Sequence, residues 1–405
     1  MFSYIDGGVT APKGFTAAGV HCGIRKNRSK LDLALIKGEV LCTAAAVYTQ
    51  NLVKGAPILV TKENLQNGHA QAVICNSGNA NTCNADGEEK ARQMCEIAAR
   101  AAGVKPSDVI VASTGVIGQP LPIEPIANAE QALGKALSLS GGSDAAKAIM
   151  TTDTMEKSYA LECTLGGRSC RMGGIAKGSG MIHPNMATML CFLTCDAAVE
   201  PAALDKALHL AVADTFNMVS VDGDTSTNDM VSILCSGLAG NEAIAEESPS
   251  FAPFVEALTD LCRTLSRDVA KDGEGATKLL VCQVTGGAND ASARAVAKSV
   301  IGSSLFKAAM FGADANWGRV LCAIGYAGVP VNINQVDVAF FSKAGEITVC
   351  QNGAGIDFSE ELAARVLKED EITVSITLRD GTSAATAYGC DLTYDYVKIN
   401  GDYRT

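Results

Sequence analysis

Residues 177–196, KGSGMIHPNMATMLCFLTCD, hold the side chain best placed to act as a nucleophile. Two glycines, a proline and an asparagine precede a continuous apolar run that opens at Thr188, so a tight turn feeding a buried strand puts Thr188 at the strand's first position. A threonine suits a strand in any case, being β-branched. The sharper chemistry needs Thr188 to become a chain start. A threonine hydroxyl is a weak nucleophile without a base beside it, and a free α-amino group, with an ordinary pKa of about 8, is a base carried on the same residue. Attack of Thr188 Oγ on the Ala187 carbonyl in an N-to-O acyl shift, followed by hydrolysis of the ester, would expose that amine. The small side chain of Ala187 leaves the carbonyl approachable.

Such acyl chemistry develops charge on an oxygen and needs donors placed where it forms. The run VASTGVIG, residues 111–118, offers a strand ending in Ser113, Thr114 and Gly115. There the glycine admits a close backbone N–H and Thr114 supplies a hydroxyl. By itself, S-T-G after a strand signals only a turn.

The elements that must position these groups alternate between short β-branched runs and amphipathic helices, which predicts an α/β or mixed α+β fold rich in sheet. Strand-like runs are GEVLCTAAAVYT, QAVICN, DVIVAST, TMLCFLTCD, MVSILCSG, VDVAFFS and EITVSITL. Residues 86–103 read as a helix with Asp86 as cap, Glu89 closing a capping box, and Ala91, Met94, Cys95, Ala98 and Ala101 on one face. A second helix follows Pro201, with Leu204, Leu208, Ala211 and Val212 as its stripe and His209 off it. Residues 254–269 form a third. At 405 residues and 47% hydrophobic content, two or three packed units are expected, with no linker, repeat or heptad between them.

A net charge of −11 argues against a nucleic-acid partner. The short basic cluster Arg25, Lys26, Arg28 and Lys30 reads as a solvated loop. No run approaches the ~20 apolar residues that span a bilayer, and MFSYIDGGVT lacks the features of an export signal, so a cytoplasmic location is expected. The 15 cysteines are scattered through apolar runs without a C-x-x-C, and with 4 histidines in the chain none stands at ligand spacing to the Cys191/Cys195 pair, so no metal site is expected. Asp222, Asp224, Asn228 and Asp229 in VDGDTSTND do not fit a calcium loop. They and Asn316–Trp317 read as loops that build site walls or turns. No phosphate-binding loop appears, and no cofactor is expected.

The segments NSGNANTCNADG (76–87), STGVIG (113–118), TTDT (151–154), GGIAKGSGMIHPNMATML (173–190), DGEGATK (272–278), GADANWGR (312–319) and INGDYRT (399–405) resemble, in one order over almost the whole chain, the ornithine acetyltransferase family of the cyclic arginine pathway. The resemblance implies a precursor cut into an α chain (1–187) and a β chain (188–405) that remain together, usually as an α2β2 heterotetramer. The implied fold is a layered sandwich of β-sheets flanked by helices, similar to N-terminal-nucleophile enzymes. Thr188 would be the nucleophile, and Thr114 with Gly115 the oxyanion hole. Substrate contacts carry over to Thr151 (or its neighbour Thr152), Lys177, Thr188, Glu274, Asn400 and Thr405. Lys177 suits an α-carboxylate and Glu274 a side-chain ammonium. The implied reaction moves the acetyl group of N2-acetyl-L-ornithine through Thr188 to L-glutamate by a ping-pong route, and some members also take acetyl-CoA as co-substrate. The rivals are a self-processing aminopeptidase or amidohydrolase of related fold, which has no use for the Lys177, Glu274 and Asn400/Thr405 set, and an uncleaved ligand-binding protein.

Overall fold

Two sheets gather the strand-forming runs. The computed structural model describes residues 2–183 and 189–402. Within them the strands are β1 (Phe2–Ile5), β2 (Phe15–Val20), β3 (Leu33–Tyr48), β4 (His69–Asn79), β5 (Val109–Val116), β6 (Lys157–Leu165), β7 (Arg168–Lys177), β8 (Leu190–Cys195), β9 (Val219–Ser220), β10 (Met230–Cys235), β11 (Leu279–Gly287), β12 (Asp337–Ser342), β13 (Gly345–Gln351), β14 (Ala354–Gly355), β15 (Glu371–Thr377) and β16 (Ser383–Cys390). The first sheet runs β1-β6-β7-β8-β10-β3-β4-β5, with β2 also on β3; the second runs β14-β13-β12-β15-β11-β16-β9.

At the centre of the first sheet β8 and β10 lie parallel, Met230 opposite Leu190, with β7 antiparallel on one side and β3 on the other. Every residue of β8 and β10 is buried. Cys191, Leu193 and Cys195 join Val231, Ile233 and Cys235 in one core, while Leu190 and Phe192 join Met230 and Leu234 in the core on the opposite face. A strand covered on both faces reads as an unbroken apolar run, which is why TMLCFLTCD shows no polar alternation. Each such side chain contributes about 1.5–3 kcal/mol by leaving water.

The helices Pro201–Ala213 and Phe251–Lys271 fill the core shared by the two sheets, which also takes Val281 and Tyr388 from the second. The stripe Leu204, Leu208, Ala211 and Val212 is buried, and His209 is half exposed, its Nδ1 2.9 Å from the Asp205 carbonyl. A separate core beneath the second sheet takes its helices on the far side, including Asp290–Gly302 and Glu360–Leu367. The layered α/β arrangement is the expected one.

Local expectations need correction in two places and narrowing in a third. The helix Gly87–Ala102 buries Ala91, Met94, Cys95 and Ala98 as foreseen, but Asp86 makes no side-chain cap. Its φ/ψ of −101°/12° is not the extended conformation a capping side chain requires, so the capping box does not form. Arg25 is not a solvated charge: its guanidinium donates to the carbonyls of Met150 (2.8 Å) and Thr151 (3.1 Å). Asn316 caps the helix Trp317–Gly325 by accepting from the Arg319 N–H at 3.3 Å, so of the two roles expected, wall or turn, the loop takes the turn and does not line the cavity described below. All fifteen cysteines are free thiols, twelve of them buried. Among the described residues no helix is long and apolar enough to cross a membrane, and no cluster of His, Cys, Asp or Glu could hold a metal ion.

Candidate active site

The residues singled out for acyl chemistry meet in one cavity of about 740 Å³, counted to its open mouth. Thr114, Gly115, Thr151, Thr152, Lys177, Glu274 and Asn400 all line it, together with Met189, the residue after Thr188. Ala187, Thr188 and Thr405 lie outside the described residues. The strand that follows them begins at Leu190.

Each lining residue has a local reason to be there. Thr114 and Gly115 close β5, whose partner strand β4 brings Gly78 against Gly115. At φ +131°, and with a Cβ that would fall 2.3 Å from the Gly78 carbonyl carbon, position 115 accepts only glycine, and its backbone is left open to the cavity. Lys177 ends β7 and is 7% exposed. Past it, Gly180 has no side chain because the Glu274 carboxylate occupies that space, 2.3 Å from where a Cβ would stand. Glu274 is fixed by its N–H donating to Ser179 O (2.8 Å), and its Oε2 accepts from Asn400 Nδ2 at 2.8 Å. Thr152 and Ser179 share a hydroxyl hydrogen bond of 2.7 Å, whereas Thr151 is held through its N–H, which donates to Asp153 Oδ2 at 2.9 Å.

Behind this wall stands a charged cluster that the sequence did not announce. Lys157, wholly buried, donates to Asp153 Oδ1 at 2.9 Å and to Asp272 Oδ2 at 2.6 Å. Asp153 Oδ1 also accepts from the Gly178 N–H at 2.7 Å, setting the turn after Lys177. Burial pushes the Asp153 carboxyl up, but the charges of Lys177 and Lys157 and the Gly178 N–H outweigh it and hold the acid ionised, well below the usual carboxylate range. Lys157 feels the mirror image: burial lowers it, and its two aspartates more than restore the ammonium.

Two further residues, Asn228 and Asp222, tie remote segments to the cavity. Asn228 Nδ2 donates to Ala80 O (2.5 Å) and Ser113 O (3.0 Å), while its Oδ1 accepts from Thr82 Oγ1 (2.6 Å) and Thr227 Oγ1 (2.5 Å). One buried amide thus pins the end of β5 to the start of β10. Asp222 receives the N–H groups of Met181 (2.6 Å) and Ile182 (2.8 Å), clamping the chain just ahead of residues 184–188. Both lie in the VDGDTSTND loop expected to build walls or turns.

A donor pair at Thr114/Gly115, a buried cation and a carboxylate across one small cavity suit a zwitterionic amino acid undergoing acyl transfer. Comparison with known proteins agrees. The profile of the ArgJ family matches residues 16–405. The chain belongs to the ArgJ family. It is 51% identical over 404 residues to the arginine biosynthesis bifunctional protein ArgJ of Symbiobacterium thermophilum, covering 99% of this chain and 100% of that one. It is 46% identical over 403 residues to the protein of that name from Bacillus subtilis, covering 99% and 97%. The crystal structure of the Bacillus halodurans ArgJ superposes with a TM-score of 0.51 at 49% identity, covering 53% of this chain and all of the crystallised one. That membership leaves the peptidase and binding-protein readings without support.

Proposed function

We propose that the chain is a self-processing acetyltransferase of arginine biosynthesis that cuts itself between Ala187 and Thr188 and carries the acetyl group of N2-acetyl-L-ornithine on Thr188 to L-glutamate. The observation that carries this reading is the single cavity where Thr114, Gly115, Thr151, Lys177, Glu274 and Asn400 converge one residue from Thr188. The bifunctional names of the relatives support a second activity; in the proposal it is acetylation of glutamate by acetyl-CoA acting as co-substrate, and no resident cofactor is invoked.

In the first half-reaction the Thr188 α-amine takes the hydroxyl proton as Oγ bonds to the acetyl carbonyl carbon. The carbonyl oxygen becomes an oxyanion facing the Thr114 hydroxyl and the Gly115 N–H. Collapse breaks the carbon–nitrogen bond, the amine returns the proton to the departing nitrogen, and ornithine leaves. Glutamate then reverses these steps on the acetyl ester. Lys177 pairs with the substrate α-carboxylate and Glu274, oriented by Asn400, with the distal ammonium of ornithine; Thr151 offers its hydroxyl, Thr152's being engaged by Ser179, and Thr405 is a further substrate contact of the proposal.

The cut would yield an α chain of residues 1–187 and a β chain of residues 188–405, associating as α2β2 in the cytoplasm. The crystallised relative's share of this chain, 53%, is close to the share that residues 188–405 make. Mass spectrometry after mixing with N-acetylornithine tests the whole: an acetyl increment on a fragment beginning at Thr188, absent from Thr188→Ala, is expected. Turnover that survives Thr188→Ala would end the proposal.

A further inference from the structure

Asp229 is an acid on the cavity wall to which the acetyl-transfer steps assign nothing. It is 2% exposed, and its Oδ2 is buried without a hydrogen-bond partner among the described residues. An orphaned buried acceptor is destabilising, so its presence beside a reaction site asks for a use. The ladder fixes where it stands. Met230 N–H donates to Met189 O at 3.0 Å, and Thr49 N–H donates to the Asp229 carbonyl at 3.0 Å. With Met230 opposite Leu190, Asp229 faces Met189, and the bond from Ala187 to Thr188 is the next peptide link but one along the chain.

Three acids at or behind the cavity wall have different surroundings. Asp153 is kept ionised by two lysines. Glu274 is engaged by Asn400. Asp229 is the opposite of Asp153: burial drives its carboxyl well above the ordinary range, and the Ser226 hydroxyl, the Lys177 charge and the Thr49 hydroxyl recover only part of the shift. Acids pushed apart in this way divide roles in a site.

We propose that Asp229 is the acid that protonates the nitrogen of residue 188 as it departs in self-cleavage, an inference that rests on the cut between Ala187 and Thr188. In this step Thr188 Oγ bonds to the Ala187 carbonyl carbon and the carbon–nitrogen bond breaks. The Asp229 O–H gives its proton to the leaving nitrogen, and the Thr188 hydroxyl proton passes to the other carboxyl oxygen. The carboxyl ends neutral, as it began, leaving an ester and a free amine. Water then hydrolyses the ester to the Ala187 carboxylic acid and the Thr188 hydroxyl.

The test follows processing of the full chain after pulse-labelled cell-free synthesis, on denaturing gels, with hydroxylamine added to part of each sample because it splits esters and spares amides. Asp229→Asn is expected to be cut at least about 100-fold more slowly than the natural chain, the scale of a general acid's contribution. Its 41.8 kDa band should persist and hydroxylamine should release nothing from it. Asp229→Glu, which keeps an acid, should recover processing to within about tenfold of the natural rate. Asp229→Asn cut at the natural rate, or an Asp229→Asn band that hydroxylamine splits, overturns the role. Should thermal melts show Asp229→Asn unfolded, Asp229→Glu decides alone: cutting within that tenfold supports the acid, and a folded, uncut Asp229→Glu overturns it. Thr188→Ala run alongside separates the failures, since its cleavage would overturn the self-cutting reading and not the assignment of Asp229 alone.

Discussion

The two sheets bury different things. Beneath the second, from Leu279 to Cys390, the core is almost wholly hydrocarbon, with Ser292, Ser303 and Lys307 its buried polar side chains. Around the first, buried Asn76, Ser77, Asn79, Asn81, Thr82, Asp153, Lys157, Lys177, Asn228 and Asp229 crowd the approach to one cavity. Apolar burial stabilises without specifying direction, whereas buried polar groups are stable only when their partners are in place. The second sheet supplies stability, and the first spends part of it to hold charges and donors in fixed geometry.

Four substitutions would break or sharpen that contrast. Lys157→Met should act most strongly, stranding Asp153 and Asp272 and destabilising by about 3–5 kcal/mol in urea unfolding. It should also lower turnover about 100-fold by loosening the turn that presents Lys177. The pH dependence follows from the same group. The depressed Asp153 adds stability above its unfolded pKa of about 4, and that stability is lost as pH falls through the folded value. The raised Lys157 adds stability in full below about pH 10, lost as pH climbs through its own folded value. Titrated melts of the natural chain should show an acid-side loss that Lys157→Met flattens; an unchanged slope would count against the pairing. Next, Asn228→Ala should lose about 1–3 kcal/mol. It should cut kcat by about 100-fold with KM little moved, since its amide is engaged by Ala80, Ser113, Thr82 and Thr227 and acts by positioning Thr114 and Gly115. In the other sheet Ile372→Val should cost about 0.5–1.5 kcal/mol with kcat unchanged. A loss of activity there would erase the distinction between the sheets. Least of all, Arg379→Gln at the half-exposed Asp337 pair should shift stability by less than about 1 kcal/mol, checked by thermal melting.

What the sequence revealed had short-range signatures. The buried strands around Cys191 and Val231 were visible as apolar runs, and Thr114, Gly115, Lys177 and Glu274 stood in compact motifs. Strand order was hidden, because a parallel β8–β10 pair is joined through a long excursion and no local pattern records which run it adjoins. Lys157 was missed for a related reason: its partner Asp272 lies 115 positions away, and a lysine opening a strand looks like any surface charge. Asn228 sat in a loop whose polar residues were noticed as a group, but which of them faces inward depends on the contact with Ala80 and Ser113, set by the tertiary fold. Asp86 shows the reverse, a local signal of capping that the surrounding backbone conformation overrode.

The placement of β8 and β10 in the middle of the first sheet has a consequence for the order of events in the life of the polypeptide. Both come after residue 188, yet six residue pairs zip β8 to β7 and six more zip β10 to β3, strands that precede it. Severing the backbone at that point unfastens neither seam. Made separately, each piece would present raw sheet margins along its middle rather than its rim, an invitation to aggregate. If the chain is cut as proposed, it has to be made whole and divided only after it has folded.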